Sequence, residues 1–121
     1  MPTNKQERSY TDAEATRHLT DLPGWRADGG WLVRSYATDG WPTTLMLVNA
    51  IGYVAEAADH HPDLAVAWAR VTVKLQTHTA GGITAKDVEL ARAIEAAALW
   101  RPRGGALQGT GRPFVRPSDG P

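Results

Sequence analysis

Val71-Thr72-Val73-Lys74-Leu75-Gln76-Thr77-His78 alternates without a break. Val71, Val73, Leu75 and Thr77 fall on one face, and Thr72, Lys74, Gln76 and His78 on the other. That period of two is the pattern of a strand with one face on a core and the other toward water. Strands solvated on one side belong to antiparallel sheets, so the rest of the chain must cover only one face of this one. His78 leaves the sheet on the polar side, at the strand's end.

Upstream, Leu64-Ala-Val66-Ala-Trp68 reads as the partner strand. Before it, Asp39-Gly-Trp41-Pro42 reads as a helix start, because proline is tolerated in a first turn whose amide has no partner. The helix runs to about Ala58, with Leu47, Val48, Ile51, Val54, Ala55 and Ala58 forming one buried stripe. Gly52 inside it suggests close approach of another backbone. Pro62 stops the helix and biases His61 toward extended backbone.

Trp25 to Tyr36 reads as a β-hairpin turning on Ala27-Asp28-Gly29-Gly30. Neither face of Trp31–Tyr36 is cleanly apolar: Trp31, Val33 and Ser35 share one, Leu32, Arg34 and Tyr36 the other. Thr11-Asp-Ala-Glu14 has capping-box spacing and opens a short helix to about Leu19 or Thr20, which carries His18 near its end. Downstream, Thr84-Ala-Lys-Asp87 opens the last helix, with Leu90, Ala91, Ile94, Ala97 and Ala98 as its buried face. The expected fold class is α+β, a four-stranded antiparallel sheet with helices on one face in the order α-β-β-α-β-β-α.

The chain has 121 residues, room for one domain with one core. It divides into an N-terminal arm, 1–9, a domain, 10–100, and a tail, 101–121. The tail holds half of the 8 prolines and five of the 12 glycines, which points to disorder or docking on a partner. Lys+Arg and Asp+Glu are 13 each, a balance that gives no support to a nucleic-acid or acidic-membrane partner. With no cysteine, disulfides, thiolate metal sites and cysteine nucleophiles are excluded. The polar N-terminus is not a secretory signal, and no apolar run has membrane-span length, so the cytoplasm is the expected location.

Chemistry gathers in Glu56-Ala-Ala-Asp59-His60-His61-Pro62, with two imidazoles, two carboxylates and a proline in seven residues. Glu56 and His60, four apart, share a helix face if the helix extends that far. Carboxylates beside imidazoles fix tautomer and orientation, and His78 is placed to face the same cleft. Three proton carriers of this kind suit a reaction that gives a proton to one atom and takes one from another. Other readings stay open from the residues alone. The His-His pair can be a solvated helix end; His60, His61, His78 and a carboxylate can be metal ligands; Asp87 can be only the cap partner of Thr84; and Trp25 can fill the core or wall a flat ligand.

Glu56-x-x-x-His60-His61-Pro62, then Trp68, Thr77-His78 and Gly82-Ile83-Thr84-x-x-Asp87, together with the Gly24-Trp25 pair, resemble the pterin-4a-carbinolamine dehydratase family from about Thr11 to Ala98. The resemblance implies the α-β-β-α-β-β-α fold. It also implies dehydration of 4a-hydroxytetrahydropterin to quinonoid dihydropterin, in tetrahydropterin recycling, with neither metal nor cofactor. By that resemblance His60 and His78 are the acid/base pair and His61 a positioning imidazole, these three being the catalytic set. Glu56, Asp59, Trp25, Thr77 and Asp87 are then expected to bind substrate or hold the histidines. A homodimer or homotetramer is implied as well. The tail lies outside the family pattern, and the same family implies an alternative, a non-catalytic binding protein acting as transcription coactivator or RuBisCO assembly chaperone.

Overall fold

The computed structural model describes residues 8–117. Along the chain it has α1 (Asp12–Arg17), β1 (Trp25–Asp28), β2 (Trp31–Ala37), α2 (Trp41–Ala58), β3 (Asp63–Ala67), β4 (Arg70–Leu75) and α3 (Ala85–Ala98), with a 3₁₀ turn at His78–Ala80. The strands form one antiparallel sheet in the order β1-β2-β4-β3. Element order and fold class are those expected from the alternation in β4.

Local chemistry explains most of the boundaries. Thr11 caps α1 in a full capping box with Glu14. The hairpin turns on Gly29 and Gly30, both at positive φ, which a two-residue loop between twisted strands requires. The Asp12 carboxylate accepts both glycine amides, at 2.8 and 2.9 Å, and so ties α1 to the hairpin. Asp59, in left-handed conformation, ends α2 at Ala58, two residues short of His60, so Glu56 and His60 do not share a helical face. Thr84 caps α3, again in a capping box, with Asp87 as its partner.

Register settles which face of β2 is the inner one. Leu32, Arg34 and Tyr36 stand opposite Leu75, Val73 and Val71, and all six are buried. Val33 and Ser35 stand opposite Lys74 and Thr72 on the other face. With Leu47 and Ile51 of α2 and Val88, Leu90, Ala91 and Ile94 of α3, the inner face makes a single core. β4 ends at Leu75 rather than His78, because Thr77 turns to bridge Gly82. Gly52 points to open space, so among the described residues of this chain no other backbone closes on it, contrary to the expectation.

Residues 101–117 were expected to be disordered or to dock on a partner; instead they dock on their own domain. Val115 bridges Thr38, and the Arg116 amide donates to Ala37 at 2.8 Å, on the part of β2 that β1 leaves unpaired. Arg101 donates to the carbonyls of Arg112 and Thr110, and Arg112 lies 3.3 Å from Asp39. Composition hid this because two apolar residues are enough: Val115 packs against the core and Phe114 sits between the Arg101 and Arg112 guanidiniums. Residues 1–7 and 118–121, parts of the expected arm and tail, lie outside the described residues. Truncation after Trp100 should lower the unfolding free energy by roughly 1–3 kcal/mol, the burial of about one apolar side chain. Urea denaturation checks this, and an unchanged midpoint would mean that the tail docks without contributing.

Candidate functional site

At the end of α2, Asp59 breaks the helix and the chain turns toward β3, which carries His60 to the N-terminal end of α3. There the His60 Nε2 lies 2.6 Å from Asp87 Oδ1, with the imidazole 17% exposed and Asp87 fully buried. The other oxygen, Oδ2, accepts from the Thr77 hydroxyl and the Thr84 amide, both at 2.8 Å. A carboxylate in the interior needs donors on both oxygens, and Asp87 has them. Asp87 is therefore both the cap partner of Thr84 and the partner of His60.

His60 and Asp59 line an open cleft of about 540 Å³, walled by Ala58 and by Lys86, Glu89, Leu90 and Ala93 of α3. With Asp87 as acceptor on Nε2–H, a neutral His60 carries its lone pair on Nδ1. That ring can take a proton at one nitrogen while the other holds it in place, which is the arrangement general acid/base chemistry uses.

His61 and Glu56 form a separate pair at 2.9 Å, both exposed, so the glutamate expected to share a face with His60 serves the neighbouring imidazole. His78 opens the 3₁₀ turn with its side chain in solvent. Its ring has no hydrogen-bond or ionic partner among the described residues. Thr77 is extended and points its hydroxyl inward to Asp87. Trp25 lies apart from these groups. It is buried in the core, and its indole N–H donates to Glu95, eight residues beyond Asp87 along α3, a separation of roughly 12 Å. Among the described residues no three His, Asp or Glu side chains are grouped as metal ligands.

Sequence reasoning did not identify the cleft residues Lys86 and Glu89, or the second role of Thr84. It also passed over a buried group beside Trp25, in which Glu95 accepts from Trp25 Nε1, Tyr36 Oη and the Arg34 guanidinium at 2.6 to 3.2 Å. The signal for that group was present: Arg34 alternates onto the inner face of β2, where a charge requires a buried partner.

A family model described as Pterin 4 alpha carbinolamine dehydratase matches residues 8–97. A curated Aquifex aeolicus protein, provisionally named pterin-4-alpha-carbinolamine dehydratase, is 44% identical over 88 residues, covering 73% of this chain and 89% of that one. A Thermosynechococcus vestitus protein with the same provisional name is also 44% identical, over 86 residues, 71% of this chain and 88% of its own. Among solved structures, a transcriptional coactivator/pterin dehydratase from Brucella melitensis superposes with a TM-score of 0.69 at 33% identity, covering 75% of this chain and 99% of that one. A pterin dehydratase-like protein identified as a RuBisCO assembly factor shares the fold, with a TM-score of 0.54 at 22% identity over 62% of this chain and 89% of its own.

Proposed function

This chain belongs to the pterin 4 alpha carbinolamine dehydratase family, and from that membership we propose that it dehydrates 4a-hydroxytetrahydropterin to quinonoid dihydropterin. The observation that carries the reading is the His60–Asp87 contact at the edge of an open cleft. In the reaction the C4a–O bond breaks and the hydroxyl leaves as water, taking a proton, while the N5–H proton is removed and its electron pair forms the C=N bond. One group must donate and another accept.

His60 is one of these carriers and His78 the other, by the match of Thr77-His78 to the family's motif. His61, held by Glu56, positions substrate. Asp59 offers an acceptor to the amino and ring N–H edge of a pterin, and Lys86 and Glu89 bound the same cleft. Trp25 is left out of the substrate-binding set because it packs in the core. Among the described residues β3 is hydrogen-bonded on one side only, to β4, and its residues from Leu64 to Ala67 are uncharged. Such an edge accepts another strand, which favours a homo-oligomer.

The test is a spectrophotometric dehydration assay with a freshly generated pterin carbinolamine. Acceleration well above the spontaneous rate is expected. A rate equal to the spontaneous one would favour the non-catalytic reading, a binding protein on this fold, to which the docked segment 101–117 outside the family match would lend a surface.

A further inference from the structure

The geometry points to Thr84 and Thr77 as positioning residues for His60, acting through a hydrogen-bond chain whose direction the fold fixes. Thr84 Oγ1 is the cap acceptor of α3, taking the Lys86 amide at 3.2 Å and the amide of Asp87 in the capping box. With its oxygen so used, its proton goes to Thr77 Oγ1, 2.7 Å away. Thr77 can then send its own proton only onward, to Asp87 Oδ2 at 2.8 Å. The Thr84 amide is the second donor to that oxygen.

Both threonines are buried, Thr77 3% exposed and Thr84 0%, so water does not compete for these hydroxyls. Oδ2 is filled from two sides, and among the described residues Oδ1 has a single partner, His60 Nε2. An ionised carboxylate only accepts, so the ring must present N–H at Nε2 and keep Nδ1 for the cleft. The chain thus runs one way, Thr84 to Thr77 to Asp87, and its last member sets the orientation and tautomer of the imidazole. Thr77 is part of the support behind the reacting groups and does not touch substrate.

The test pairs a ring signature with kinetics, and only the kinetic half rests on the dehydratase reading. In proton NMR of the ¹⁵N-histidine-labelled full chain, the His60 Nε2–H should appear as a slowly exchanging downfield signal. Thr77→Val removes the donor and should broaden or abolish that signal, with kcat reduced about tenfold and KM within about twofold. Thr77→Ser, which keeps the hydroxyl, should restore both. If Thr77→Val does not fold, Thr77→Ala removes the same donor without adding a methyl and carries the same expectation. An unaltered ring signal in the hydroxyl-less variant, or a loss that serine does not repair, overturns the proposal. A wild-type ring signal that responds to Thr77→Val in a chain without dehydration activity supports the positioning chain and removes only the enzyme reading.

Discussion

Replacing His60 with alanine should lower kcat for carbinolamine dehydration by about 10²-fold or more, the scale on which removal of a positioned acid or base is felt. His60 is the one imidazole of the motif fixed by a buried carboxylate, 2.6 Å from Asp87, and it lines the cleft. Alanine alone is ambiguous, because it also strips Asp87 of a partner and can loosen the start of α3. His60→Gln resolves this. Its amide N–H can still donate to Asp87, but it has no basic nitrogen with which to exchange a proton. The expected result is a glutamine variant that melts near the wild type and is as inactive as alanine. A glutamine variant retaining more than about a tenth of the activity would mean that His60 holds the site together without moving a proton. His61→Ala should cost less than His60→Ala, since that ring stands exposed beside an exposed glutamate.

The fold was legible because each element carries a local signal that agrees with its neighbours. The alternation of Val71 to Leu75 fixes a half-buried strand, the glycine pair fixes the hairpin, and Thr11 and Thr84 mark helix starts with a carboxylate three residues on. The site was legible in its residue types and less so in their pairing. Spacing counted along a regular helix joins Glu56 to His60, but one left-handed residue, Asp59, ends the helix first. Glu56 then meets His61, and His60 crosses to α3. The Asp87–His60 contact joins residues 27 apart, and no local periodicity encodes it. The docking of residues 101–117 escaped for a different reason: averaged composition conceals two apolar side chains set between arginines.

The same long-range limit hid the group around Glu95, and the largest stability effect is expected there. Arg34→Leu should destabilise the protein by roughly 3–5 kcal/mol at neutral pH, the cost of leaving one member of a buried ion pair alone. Arg34 and Glu95 are 8% and 15% exposed, and the guanidinium makes two contacts to the carboxylate, at 3.1 and 3.2 Å. Gly24 makes room for it, since a Cβ there would lie 2.5 Å from Arg34 Cζ. Burial pushes the Glu95 carboxyl up, but donation from Arg34, Tyr36 and Trp25 outweighs it and holds the group below its ordinary 4.5. A carboxyl lowered on folding stabilises the protein fully above its unfolded value, and that contribution is lost as pH falls through the folded one. Wild-type stability should therefore decline below about pH 4.5. Without the guanidinium, burial would dominate and Glu95 would prefer to be neutral, so the penalty of Arg34→Leu should be largest near pH 7 and shrink as the solution is acidified. Urea unfolding of both proteins from pH 7 to pH 4 measures this difference. A penalty independent of pH would assign the loss to the guanidinium's contact with the Tyr36 ring, 4.1 Å from its centroid, rather than to the unpaired charge on Glu95.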